Sequence, residues 1–96
     1  MTNTTAKKIQ TYTFVVNKKL ECIIREPDFK QLSLALSALR TKDGRLDMAG
    51  AGKMLFDLCK ESCDKKIEES PRIMVSLCLE IAGEFLEAAQ VELKKN

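Results

Sequence analysis

The sequence predicts an α+β domain in which an N-terminal β-hairpin packs on a bundle of three α-helices. Three observations carry this. Large apolar residues fall at every second position in Tyr12, Phe14, Val16 and again in Leu20, Cys22, Ile24, the spacing of one face of a strand. Beyond Pro27 the spacing changes to three and four, with Phe29, Leu32, Leu36 and Leu39 on one helical stripe. Two later segments open on helix-start signals, Asp47 and the pair Ser70-Pro71.

The hairpin, residues 11–25, is decided by its turn. A two-residue turn at Asn17 and Lys18 pairs Val16 with Lys19 and Phe14 with Glu21, and neither face is then apolar. A three-residue turn, Asn17 to Lys19, pairs Val16 with Leu20, Phe14 with Cys22 and Tyr12 with Ile24. The second register puts all six apolar side chains on one face, so it is the one expected. A two-stranded ribbon is marginal alone in water, so that face must be covered.

The first helix is expected over about 27–41. Pro27 suits a first helical turn, Glu26 and Asp28 favour the positive end of the helix dipole, and Asp43-Gly44 is a turn signal that ends the run. The second, about 47–63, starts from Asp47 as N-cap and carries Met48, Ala51, Leu55, Cys59 and Ser62 on one side. Gly50 and Gly52 weaken it by roughly 1 kcal/mol each relative to alanine, which implies either a frayed first turn or a second backbone packed very close. The third, about 70–94, places Met74, Leu77, Cys78, Ile81, Phe85 and Ala88 on one stripe with Glu80, Glu84 and Glu87 largely opposite, and its end would offer Leu86, Val91 or Leu93 to a partner. Residues 1–10 read as a flexible lead into a single domain over 11–96.

Composition narrows the function classes. A chain of 96 residues with 45% hydrophobic content is the size of one domain. At that size only about 60 to 65% of the unfolded surface is buried, so a homo-oligomer or a larger partner is expected to complete the core. The net charge of +2 conceals nine Lys or Arg against four acidic residues in 1–45 and seven against ten in 46–96. These charges are scattered and interleaved, not gathered into the basic stripe of a nucleic-acid binder. There is no apolar run of about 20 residues to span a membrane, and "MTNTTAKKIQ" lacks the apolar core of a signal peptide. A soluble protein of the cytoplasm is expected, in the host cell if phage-encoded.

The chain contains no histidine, the commonest general base, and no carboxylate or lysine pair lies inside an apolar segment, so no enzyme activity is expected. "GAGKM" fails as a phosphate-binding loop: Asp47 stands where the earlier glycine belongs, and Met54 where Ser or Thr would hold magnesium. Of Cys22, Cys59, Cys63 and Cys78 only Cys59 and Cys63 have metal-ligand spacing, so the cysteines are expected reduced, with no metal and no cofactor. An i, i+4 pair such as Cys59 and Cys63 sits near the upper Cα separation for a disulfide.

The layout as a whole resembles one family. "TFVVNKKLECIIREPDFKQLSLALS", with its E-C-x-x-R-E-P passage at Glu21 to Pro27, then "DMAGAGKMLFDLC", then "EFLEAAQVELKKN", is similar to small tail assembly chaperones of phages and prophages with long non-contractile tails. The resemblance implies a protein that binds the long, aggregation-prone tape-measure protein and keeps it soluble while the tail tube assembles. It implies a groove between helices, with Met48, Met54, Leu55, Phe56 and Met74 as adaptable contacts. The alternative is a small homo-oligomeric adaptor or regulatory module with no phage role.

Overall fold

The computed structural model describes residues 9–86 and 93–95. Its first two elements are β1 (Thr11–Val16) and β2 (Leu20–Arg25), antiparallel, with Val16 opposite Leu20, Phe14 opposite Cys22 and Tyr12 opposite Ile24. This is the register of the three-residue turn. The inward face holds Cys22 and Ile24 fully buried, with Tyr12, Phe14, Val16 and Leu20 packed on the core around them. Gln10, placed by sequence in the flexible lead, already belongs to this sheet, because its carbonyl accepts the Glu26 N–H at 2.8 Å.

The turn itself is strained at one residue. Asn17 and Lys18 both have positive φ, +52° and +65°, and the Lys19 N–H closes the turn onto the Val16 carbonyl at 3.2 Å. Asparagine tolerates that region, whereas a lysine Cβ crowds the following carbonyl at about 1 kcal/mol or more. Lys18→Gly should therefore raise stability by about 0.5 kcal/mol after the extra unfolded-state entropy of glycine is subtracted. The check is the urea midpoint at unchanged slope; a fall in the midpoint contradicts this turn conformation.

The sheet has a third strand that periodicity does not reveal. The second helix ends at Cys59 and not at residue 63, and Lys60–Cys63 forms β3, antiparallel to β2 in the order β1-β2-β3. Lys60 turns extended at φ −63°, ψ 126°, and a register shift between Ile23 and Ile24 absorbs the change of direction. "KESC" is an acceptable helical sequence, and its side chains fit the helical stripe. What overrides it is the open edge of β2, whose N–H and C=O groups find partners only if the chain leaves the helix there.

The first helix, α1 (Phe29–Leu39), is shorter than expected and rotated away from the expected face. Asp28 is its N-cap: the Gln31 N–H donates to the Asp28 carboxylate at 2.8 Å, and the Asp28 N–H donates to Gln31 Oε1 at 3.0 Å, a reciprocal capping box. Pro27 thus lies before the cap, outside the first turn, and is buried. The stripe Phe29, Leu32, Leu36, Leu39 is not the buried face, since Phe29 is 86% exposed and Leu36 50% exposed. The helix packs through Ala35, fully buried, with Leu32 and Leu39 beside it. A small residue at the contact lets the helix sit close, which leaves the larger Phe29 and Leu36 on the rim. The Asp43-Gly44 turn follows as expected, with Gly44 at φ +83°.

Two longer helices make the main layer. In α2 (Met48–Cys59) Asp47 accepts the Gly50 N–H, and the helix buries Ala51, Gly52, Leu55, Phe56 and Cys59. After β3 comes one turn, α3 (Lys65–Glu68), which periodicity also does not reveal; Asp64 caps it, and its single apolar residue, Ile67, is fully buried. The fourth helix, α4 (Pro71–Leu86), opens as the Ser70-Pro71 signal predicts, with the Ile73 N–H donating to Ser70 Oγ at 3.4 Å. It buries Leu77, Cys78, Ile81, Ala82 and Phe85. Phe85 meets Tyr12 edge-on at 5.1 Å and Phe14 at 6.3 Å, which ties the hairpin to the helical layer. Leu93–Lys95 are not helical, so the expected helix does not reach residue 94; Val91 and Ala88 lie outside the described residues.

A close backbone contact accounts for Gly52, one of the two glycines of the second helix. A Cβ on Gly52 would sit 1.8 Å from the Cys78 carbonyl oxygen, so α2 and α4 cross with their backbones in contact at this point. Of the two explanations for a glycine-weakened helix, close approach is the one realised here.

Candidate partner-binding surface

On the N-terminal side of the Gly52 contact, α2 and α4 leave a shallow groove of about 340 Å³ lined by Ala49, Gly50, Lys53, Pro71, Met74, Val75 and Cys78. Its origin is compositional. Ala49 and Gly50 are too small to fill the space between the helices, and Pro71 and Val75 stand on the opposite wall. Val75 is 50% exposed and Leu79, one turn on, 45%, so the apolar strip continues along α4. The cation at the groove, Lys53, is held by Asp57 at 2.8 Å, four residues along α2, and that hydrogen bond raises its pKa. The groove is therefore apolar with a neutralised rim.

Of the five residues expected to make partner contacts, one lines this groove and two are buried. Met74 lines the groove, and Met48, half-buried, begins the helix that forms one wall. Leu55 and Phe56 face the opposite way into the core, where they are buried, so they cannot serve as a contact surface. Helix geometry is the reason: they lie on the side of α2 that seals the domain. Met54 is half-buried and packed against the same core. Sequence reasoning did not identify Val75, Leu79, Phe29 and Leu36 as exposed apolar residues. For Val75 and Leu79 a signal existed, since both fall off the stripe of Leu77, Ile81 and Phe85.

A larger concavity, about 800 Å³, lies between the sheet edge and the start of α1, lined by Ile9, Gln10, Arg25, Glu26, Pro27, Asp28 and Gln31. Its polar groups are occupied with one another. Arg25 donates to Glu61 and to the Leu58 carbonyl, both at 3.0 Å, and Tyr12 donates to Glu26, which raises the tyrosine pKa. Gln31 Oε1, already in the capping box, also accepts the Cys59 thiol at 3.5 Å. This is a network that fastens α1 and α2 to the sheet, and Arg25–Glu61 is a link between the basic and acidic halves of the chain.

Among the described residues no three His, Cys, Asp or Glu side chains are grouped to hold a metal ion, and no helix is long and apolar enough to cross a membrane. The four cysteines are free thiols. No family model, curated protein or solved structure matches this chain.

Proposed function

We propose that this chain is a non-enzymatic binding protein, a tail assembly chaperone that holds the tape-measure protein soluble during phage tail assembly. One observation supports this reading above the others. The domain leaves an apolar groove between α2 and α4, extended by Val75 and Leu79. An amphipathic client helix laid into such a groove would bury apolar anchors at three- and four-residue spacing. Each contact is small, so a long client would be covered by many copies, with protection growing with client length.

Co-expression with a tape-measure fragment from the same genome tests this, read by the soluble fraction of the client and the copies bound per chain. The expected result is a client soluble only in the presence of this protein. Val75→Glu and Leu79→Glu, both on exposed positions, should leave the fold intact and weaken client retention about tenfold or more, since burying one such side chain is worth about 1.5 to 3 kcal/mol. A client that stays insoluble, or is equally soluble alone, removes the chaperone reading. Self-association of the protein in that case would favour the homo-oligomeric adaptor, which would use exposed Phe29 and Leu36.

A further inference from the structure

Cys22 on β2 and Cys63 on β3 are Cα partners in the antiparallel register. The Asp64 N–H donates to the Glu21 carbonyl at 3.0 Å, which marks Glu21 and Asp64 as a hydrogen-bonded pair. Antiparallel pairs alternate, so the adjacent Cys22/Cys63 pair is of the non-hydrogen-bonded kind, in which Cα atoms approach to about 4.5 Å and side chains on one face are closest. That separation lies within the range of about 4.4 to 6.8 Å that a disulfide spans. Both side chains turn to the inner face of the sheet, Cys22 fully buried in the core and Cys63 partly buried against it. The other two thiols lack such a partner: Cys59 donates to Gln31, and Cys78 lies on the α2–α4 contact.

We propose that Cys22 and Cys63 form a reversible modification site, a cross-strand dithiol that is converted to a disulfide by exchange with a small-molecule disulfide. Cys63 is partly exposed while Cys22 is fully buried, so Cys63 meets the oxidant first. Burial pushes the Cys22 thiol up to about 12 and raises the Cys63 thiol as well, so it is the greater exposure of Cys63 that sets the order of attack. The Cys63 thiolate attacks one sulfur of the small disulfide, whose S–S bond breaks and releases one thiolate. The resulting mixed disulfide on Cys63 is then attacked at Cys63 Sγ by Cys22, which gives its proton to solvent, and the second small thiolate leaves. Two protein thiols are oxidised and one small disulfide is reduced to two thiols. The product staples β3 to β2 and closes the chain between residues 22 and 63, which lowers the entropy of the unfolded state. The inference is independent of the proposed chaperone role.

The test uses the full chain, reduced, then incubated with oxidised glutathione at mildly alkaline pH, acid-quenched, denatured and alkylated. Mass spectrometry should show a species two hydrogens lighter, alkylated only at Cys59 and Cys78, with a linked peptide pair containing Cys22 and Cys63. Dithiothreitol should restore four alkylated cysteines, and the oxidised chain should keep its circular dichroism and melt at higher temperature. Cys63→Ser should abolish the link and Cys59→Ser should preserve it. Glutathione persisting on Cys63, a link from Cys59 to Cys63, four alkylated cysteines after oxidant, or loss of native circular dichroism on oxidation would each overturn the proposal.

Discussion

Gly52→Ala is expected to destabilise the protein by about 3 kcal/mol or more, although alanine is the better helix former. The propensity change alone favours the variant by about 1 kcal/mol. Against this, the new methyl carbon would stand 1.8 Å from the Cys78 carbonyl oxygen and 2.6 Å from its carbonyl carbon. Both are backbone atoms inside α4, so no rotamer change relieves the overlap. The helices must move apart, and Leu55, Phe56, Leu77 and Ile81, which are buried in the core between these layers, lose contact as they do. Gly50→Ala is the control. There the added carbon meets only the Asp47 carboxylate, the far end of a side chain. Rotation of that group costs the cap roughly what the propensity gains, and a net change within about 1 kcal/mol follows. Chemical denaturation of both variants decides the matter, and equal effects at the two positions would show that the close crossing is absent.

Ile24→Ala is the second large effect, at about 3 to 4 kcal/mol. Ile24 is fully buried in the core on the inward face of β2, so truncation removes transfer free energy and leaves a cavity under the sheet. Its neighbour Ile23 points to the other face and is half-buried there, and Ile23→Ala should cost about 1 kcal/mol. The contrast between adjacent isoleucines reads the register directly, because a one-residue slip would exchange their faces. Comparable losses at both sites would contradict the pairing of Tyr12 with Ile24. The same measurement bears on the dithiol, since the inward face that buries Ile24 is also the face of Cys22.

How much of this was legible follows from the range of the forces involved. Elements governed by neighbours in sequence were readable. The hairpin register follows from a period of two and one turn length, the helix starts at Asp47 and Ser70 from capping chemistry, and the break at Asp43-Gly44 from turn chemistry. These interactions span at most a few residues, so the sequence by itself determined them. The candidate groove was legible only in part. Flexible apolar character on a helix points to Met74, which lines the groove, and equally to Leu55 and Phe56, which seal the core.

Tertiary structure decided the rest. Whether Lys60–Cys63 continued a helix or became a strand depended on an unpaired edge of β2 more than thirty residues earlier in the chain, and pairing with that edge outweighs the modest helical preference of "KESC". The outward turn of Phe29 and Leu36 depended on α1 docking through a small residue, Ala35, a choice that a count of apolar positions cannot make. The role of Gly52 needed the position of a carbonyl on another helix. Local propensities differ by a few tenths of a kcal/mol per residue, whereas satisfying a strand edge or avoiding a backbone overlap is worth several times that. Where the two conflict, the long-range term prevails, and it acts between residues that the linear sequence keeps apart.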